Sequence, residues 1–498
     1  MNDKLQLLKE KLGEVVDIEK AAKVLSWDQQ VNMPPGGTEA RGRQLATLNQ
    51  IAQEKFITDE MGRLIEDLKQ EYDGANTDEA ALVRVAARNY NKARRVPPSF
   101  IAEREIVTSR AFSAWVEAKS KSDFSIFEPH LEHVLELMHK YISFFPPADH
   151  PYDTLLDDYE RGMKTADVKT IFESLQPKQV KLIKAITSTR QVKADFLFAK
   201  YNEKKLNDFG VNVITKYGYD WNRGRQDKAP HPFEMTFSVN DVRITTRYED
   251  DNPLSLLFST MHEAGHAMYE QGVNPAYERT PLASGTSLAV HESQSRMWEN
   301  LVGRSLPFWE QFYPVFKKTF TSQLEGVSLK SFYKAINRLE PSLIRVNADE
   351  ATYNLHIMLR LELEIGMVEG KIAIKDLPEI WNAKMQEYLG ITPLDDATGV
   401  LQDIHWSLGL VGYFSTYALG NLVSAQLWEK INQDIPTLDD QIRAGNFAEL
   451  LGWLRRNIHQ HGQKYEPQAL IERVTGSKIT PEPYIRYLTK KYSEIYGL

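Results

Sequence analysis

The sequence predicts a mainly α-helical protein with one small antiparallel β-sheet near residues 231–249. Apolar residues recur at spacings of three and four over most of the 498 residues, with charges between them. Only one stretch changes to a strand-like texture, and no internal repeat or low-complexity tract interrupts the pattern.

In chain order, LQLLKEKLGEVVDIEKAAKVL, ATLNQIAQEKFITDEMGRLIEDLKQEY and DEAALVRVAARNYNKARRV are the first helical stretches. Met33-Pro34-Pro35-Gly36-Gly37 and Pro97-Pro98 break them, because proline fixes the backbone and lacks a donor while glycine frees it. FFPPADHPYD at 144–153 is the next break, ahead of a helical region running to about 220. From His231 to Glu249, HPFEMTFSVNDVRITTRYE is rich in Phe, Thr, Val and Ile with partial alternation, which predicts the sheet. Helical patterning then returns and persists to the C-terminus.

Composition narrows the chemistry. A chain that is 42% hydrophobic and 10% aromatic has enough apolar surface to pack, which excludes disorder over most of its length. There is no cysteine, so disulfides, cysteine nucleophiles, iron–sulfur clusters and cysteine-based zinc fingers are all excluded. Any metal site must use histidine and carboxylates. With 60 basic against 68 acidic residues and a net charge of −8, nucleic acid is not expected as the main partner.

The N-terminal stretch MNDKLQLLKEKLGEVVDIEKAAKVLSW has no apolar core of a signal peptide. Together with the missing cysteine this predicts a cytoplasmic location. Between Asp403 and Glu429 there is no charged residue, and IHWSLGLVGYFSTYALGNLVSAQLW is long enough to span a bilayer. Its His405, Asn421, Gln426 and hydroxyl residues instead predict a segment buried inside a soluble protein, with no membrane partner.

His262-Glu263-Ala264-Gly265-His266 fits H-E-x-x-H. Asp251-Asn252-Pro253 is a plausible helix start, and LSLLFSTMHEAGHAMYEQG runs helically to Gly272. Residues four apart share a helix face, so both imidazoles reach one metal ion with Glu263 offset toward the same side. Neutral imidazole suits Zn²⁺, a catalytic zinc site keeps one position for water, and a nearby Glu accepts that water's proton. Such a site hydrolyses amides. A third ligand is needed, and 26 residues past His266 lies Glu292, in the helical stretch AVHESQSRMWENLVG. Glu292 is the first choice, His291 the second and Glu299, seven residues on, the third.

HEAGH followed by HESQSR resembles the M32 metallocarboxypeptidases, the carboxypeptidase Taq family. His231-Pro232-Phe233 resembles that family's H-P-F, and Asp241-Val242-Arg243-Ile244-Thr245 its D-x-R-x-T. Ile344-Arg345-Val346-Asn347-Ala348-Asp349 resembles I/V-R-x-x-A-D, and the segment from Gly399 through Gln402, Asp403, His405 and Trp406 resembles G-x-x-Q-D-x-H-W. SWDQQVNMPPGG and YDTLLDDYERG are similar as well, so the likeness runs from about residue 20 to beyond 420.

The resemblance implies His262, His266 and Glu292 as ligands of one Zn²⁺, with Co²⁺ or Mn²⁺ as substitutes, and Glu263 as general base and acid. It implies a single catalytic domain over 1–498, similar in fold to the neurolysin and angiotensin-converting-enzyme group, with two helical lobes around a deep groove. The zinc-binding core would lie at about 231–300 and 340–420. It further implies a homodimer that removes single residues from the free C-termini of peptides with broad preference. An endo-acting oligopeptidase on the same scaffold is the nearest alternative, and a non-catalytic zinc-stabilised peptide-binding protein a more distant one.

A guanidinium can hold a terminal carboxylate through two hydrogen bonds. Arg345 is the expected anchor, on a segment read as helical, with Arg243 as runner-up and His231 as a further substrate contact. His405, Tyr413 and Tyr417 are the candidate donors to the oxyanion of the tetrahedral intermediate. Several related zinc peptidases carry an Asp four residues after the ligand Glu, behind a metal-bound His. Arg296 stands there in this chain, leaving Asp349 and Asp403 as candidate substitutes.

Overall fold

The computed structural model describes residues 3–498. Among the described residues, nine α-helices precede the sheet: α1 (Asp3–Val31), α2 (Thr38–Phe56), α3 (Asp59–Glu71), α4 (Asp78–Arg95), α5 (Pro98–Lys121), α6 (Glu128–Ser143), α7 (Pro151–Leu156), α8 (Thr165–Thr187) and α9 (Glu203–Tyr217). The breaks at 32–37, 96–97 and 144–150 fall at the expected Pro and Gly positions, whereas α2 and α3 part at Ile57-Thr58 inside one expected helical stretch. Thr58, Thr77 and Asn202 each stop a helix from fraying by accepting a backbone N–H of the first turn.

Three strands follow: β1 (Gln226–Lys228), β2 (Glu234–Ser238) and β3 (Asp241–Thr246). β3 lies in the middle, antiparallel to β2 and parallel to β1. The expected all-antiparallel sheet over 231–249 is therefore a mixed sheet that begins five residues earlier. β1 is three polar residues long and has no alternation, so only its backbone pairing with β3 marks it as a strand.

The remaining helices are α10 (Ser255–Gly272), α11 (Leu288–Arg296), α12 (Leu306–Thr319), α13 (Leu329–Ile336), α14 (Tyr353–Val368), α15 (Leu377–Leu389), α16 (Ser415–Asp434), α17 (Leu438–Arg443), α18 (Ala448–Asn457), α19 (Pro467–Thr475) and α20 (Glu482–Tyr496). α10 starts two residues beyond Pro253, which lies in a turn, and ends at Gly272 as expected. The large hydrophobic core runs through α5 to α20, while Leu5, Leu8, Leu12, Leu64 and Tyr90 of α1, α3 and α4 form a smaller one against Val239 and Tyr277. The charge-free stretch lacks charge because α16 is buried on nearly its whole circumference. Among the described residues no helix is long and apolar enough to cross a membrane.

α10 crosses α11 at very short range. A Cβ on Gly265 would lie 2.6 Å from Ser295 Cα and 2.8 Å from Gln294 O, both backbone atoms. Gly265→Ala is expected to destabilise by about 1–3 kcal/mol through overpacking. Gly42→Ala, in α2 where a Cβ would meet nothing within 4 Å, should instead stabilise by about 1 kcal/mol from helix propensity. Urea unfolding midpoints of the two variants check this reversal of sign.

Candidate active site

His262 and His266 lie one turn apart on α10, with ring centroids 4.9 Å apart, and both face α11. His262 Nε2 is 3.8 Å and His266 Nε2 3.5 Å from Glu292 Oε2. One donor atom from each of the three lies within 4.8 Å of the other two. Ligands about 2.0–2.2 Å from one ion in tetrahedral geometry stand about 3.3–3.6 Å apart, so this donor set fits a single metal ion.

α11 is placed from both ends. At its start Ser287 accepts from Val290 N, the Tyr159 carbonyl accepts from Leu288 N, and Glu160 Oε2 accepts from Ala289 N at 3.1 Å. Burial raises Glu160 to about 7, against the hydrogen bonds from Ser287 and Ala289. At its end the chain continues into a π turn, Met297–Val302, which carries Glu299 against α10. α16 presses on the middle, where a Cβ on Gly420 would lie 2.7 Å from Glu292 Cβ.

The two alternative third ligands stand behind the histidines. Glu299 Oε2 is 2.9 Å from His262 Nδ1. His291 Nδ1 is 2.6 Å from His266 Nδ1, and its Nε2 is 3.0 Å from Glu270 Oε1. Arg296 ties the set together by donating from Nε to Glu292 Oε1 at 2.6 Å and from Nη1 to Glu299 Oε2 at 3.4 Å. With Oε1 engaged, Glu292 presents Oε2 to the histidines. Asp349 and Asp403 lie elsewhere. Asp349 accepts from the backbone of Glu340, Ala351 and Thr352, and Asp403 pairs with Arg345 and Arg360.

The electrostatics follow from burial and these partners. Burial alone would raise Glu292, but Arg296 and His262 hold it well below the usual carboxylate range. The same opposition at Glu299, with burial outweighed by His262 and Arg296, brings it down to about 2. Burial lowers His266 to about 3, which leaves a neutral imidazole able to ligate. At His262 burial lowers the pKa, but Glu292 and Glu299 outweigh it and the net shift is upward. Glu263 is raised to about 7, chiefly by burial and against the pull of His262.

A groove of about 2000 Å³ runs past these residues and is lined by Glu263, His231, Arg345, His405, Tyr413 and Tyr417 among others. His231 sits in the loop before β2. Arg345 opens a 3₁₀ turn, Arg345–Asn347, in place of the expected helical segment, because the backbone N–H is taken by Gln402 Oε1. Its guanidinium donates twice to Asp403 Oδ1, at 3.0 and 2.8 Å, and once to Tyr353 Oη. Guanidinium has five N–H donors, so two remain for a ligand. Arg243 lies outside the groove lining, its guanidinium held by both oxygens of Asp241 and stacked over Phe237.

His405 is buried, with its ring centroid 5.4 Å from Tyr413 and 6.3 Å from Tyr417. Burial lowers it to about 4, and burial likewise raises both tyrosines, so all three are neutral donors at pH 7. Glu270 and Glu160 are the site residues that sequence reasoning misses. Glu270 follows His266 by four residues, a same-face spacing that is available as a signal, and Glu160 lies inside YDTLLDDYERG.

A family model for the carboxypeptidase Taq (M32) metallopeptidases matches residues 7–492. The chain belongs to the M32 family. As an M32 protein it is 40% identical over 484 residues to thermostable carboxypeptidase 1 of Thermus thermophilus, covering 95% of each chain. It is 37% identical over 480 residues to carboxypeptidase 1 of Bacillus subtilis, covering 96% of each. The M32 carboxypeptidase of Deinococcus radiodurans R1 superposes with a TM-score of 0.97 at 40% identity, over 100% of both chains. This M32 member is a metallocarboxypeptidase.

The raised pKa of His262 would make protons compete with a metal ion held by His262, His266 and Glu292. Metal binding is expected to release more protons at pH 6 than at pH 8.5. Titration calorimetry in buffers of different ionisation enthalpy measures the difference.

Proposed function

We propose that this M32 metallocarboxypeptidase is a zinc enzyme that removes single residues, with broad side-chain preference, from the free C-termini of peptides. It would act in the cytoplasm as a homodimer, each chain a single catalytic domain with two lobes about the groove. The observation that carries the chemistry is the convergence of His262 Nε2, His266 Nε2 and Glu292 Oε2 at the groove wall beside Glu263. A Zn²⁺ ion held by these three supplies Lewis acidity toward water and the scissile carbonyl.

The chain's own residues do the rest. Glu263, raised to about 7 by burial, takes a proton from the attacking water and returns it to the departing amine. Neutral His405, Tyr413 and Tyr417 offer hydrogens to the developing oxyanion. The two free N–H groups of Arg345 hold the terminal carboxylate, and Asp403 with Tyr353 keeps the guanidinium from swinging. Arg243, engaged by Asp241 outside the groove, is the weaker anchor.

Glu263→Gln is expected to bind metal as the parent does and to lose at least about 10²-fold in kcat, as removal of a general base does. Metal content by mass spectrometry alongside turnover tests both halves. C-terminal amidation of a peptide should abolish its cleavage, whereas an endo-acting oligopeptidase would still cut it. Arg345→Ala should raise KM for free-acid peptides about 10²-fold, the cost of losing one member of a desolvated charge pair. Product ladders read by mass report both results.

A further inference from the structure

Glu364 is fully buried on α14 and takes no part in the chemistry above. Three donors converge on its carboxyl group. Trp406 Nε1 donates to Oε1 at 2.9 Å, while Gly412 N at 3.0 Å and Tyr152 Oη at 2.6 Å donate to Oε2. An N–H group can only donate, so both carboxyl oxygens accept from this loop whether or not the group carries a proton. Trp406 directly follows His405, and Gly412 directly precedes Tyr413. One side chain therefore grips the loop beside each of two candidate oxyanion donors.

The loop has little freedom between these two points. It opens with a 3₁₀ turn, His405–Leu408, after which Gly409 N bonds to Trp406 O and Leu410 N to His405 O. Gly412 stands at φ +99°, and a Cβ there would lie 2.9 Å from the Leu155 backbone. That contact seats the loop on α7, whose Tyr152 bonds the same carboxyl oxygen as Gly412. Tyr353, Arg360 and Glu364 lie seven and four residues apart, on one face of α14. Tyr353 Oη accepts from Arg345 Nη1, and Arg360 Nε donates to Asp403 Oδ2 at 2.7 Å. The same helix face that steadies Arg345 thus also sets the segment from Asp403 to Tyr413.

We propose that Glu364 is a positioning residue that holds His405 and Tyr413 in the groove wall as a pair, with ring centroids 5.4 Å apart. The proposal rests on the reading of these two side chains as oxyanion donors. It gives a role to Tyr152, in YDTLLDDYERG, and to Trp406, in the stretch from Gly399. Neither of them lines the groove, nor does Glu364. All three act on the reaction only through the loop. A donor misplaced by about 1 Å costs on the order of 10²-fold in rate, so a fixed loop matters as much as the donors it carries.

The test uses the full chain loaded with Zn²⁺. Glu364→Gln keeps the shape but turns an amide NH₂ toward one of the two loop N–H groups, so one of those bonds is lost. Its kcat should fall about 10²-fold, with KM for free-acid peptides and zinc affinity as in the parent. Affinity for a phosphinic peptide, whose tetrahedral anion resembles the oxyanion, should fall by a similar factor. Parent-like kcat and phosphinate affinity would overturn the proposal. An equal fall in zinc affinity would also overturn it, because the damage would then reach beyond the loop. Trp406→Phe keeps an aromatic ring and removes only the N–H to Oε1, so it should show the same pattern at smaller size. It carries the test if Glu364→Gln does not fold, and parent-like kcat there is equally fatal. On a background lacking both donors, His405→Ala with Tyr413→Phe, Glu364→Gln should weaken phosphinate binding no further. A full further loss would mean that Glu364 acts by another route. If the donor-free variant itself turns over as the parent does, the donor reading fails. If it is impaired while Glu364→Gln is not, only the positioning role fails.

Discussion

Two close approaches between helices bring the candidate metal ligands together. α10 and α11 touch backbone to backbone at Gly265, and α16 presses against the side chain of Glu292 at Gly420. A helix pair ordinarily stands about 8–10 Å apart, and only small residues at the crossing let it come closer. Here that closeness brings Oε2 of Glu292 to 3.5 and 3.8 Å from two imidazole nitrogens. Side chains one methyl group larger at either glycine would meet backbone atoms or Glu292, so the candidate ligand set depends on missing side chains as much as on present ones. The tie from Tyr159 and Glu160 to the first turn of α11 holds the same crossing at its other end.

That closeness has an electrostatic consequence. Buried Glu263, Glu270 and Glu292 and the mostly buried Glu299 surround two α10 histidines, a concentration of negative charge that burial would normally neutralise. Arg296 is the main counterweight. It lies over the Tyr353 ring and donates to both Glu292 and Glu299. The position that carries Asp in related zinc peptidases thus carries the opposite charge, and Glu299, three residues on and inside the π turn, takes the place behind His262. The result is a division of labour among carboxylates of one type. Glu292 and Glu299 stay ionised beside arginine, whereas burial raises Glu263 to about 7 against the pull of His262.

Much of this is legible in the chain. Helical spacing predicts the helical character of most of the chain and singles out the early helices, α10 and α11, since three- and four-residue repeats record one buried face whatever it packs against. HEAGH and HESQSR point to the candidate metal residues because their spacing is local to one helix each. The short β1 is not legible, because three polar residues show no alternation and only their pairing with β3 defines them. The 3₁₀ turn at Arg345 escapes for a similar reason: its backbone N–H bonds to Gln402, 57 residues away.

Composition and spacings within single helices are enough for the fold class, the exclusion of cysteine chemistry, and a metal site built from histidine and glutamate. The positions of Glu299 and His291 behind His262 and His266 come from packing instead, since a place seven residues or one residue from Glu292 does not reveal them. Packing likewise sets Arg345 at the border of the groove while Arg243 is engaged by Asp241 outside it. Those outcomes depend on which faces meet when α10, α11, α14 and α16 come together. A hydrogen bond across a helix crossing leaves no periodic trace in either helix, so only the packed molecule shows it.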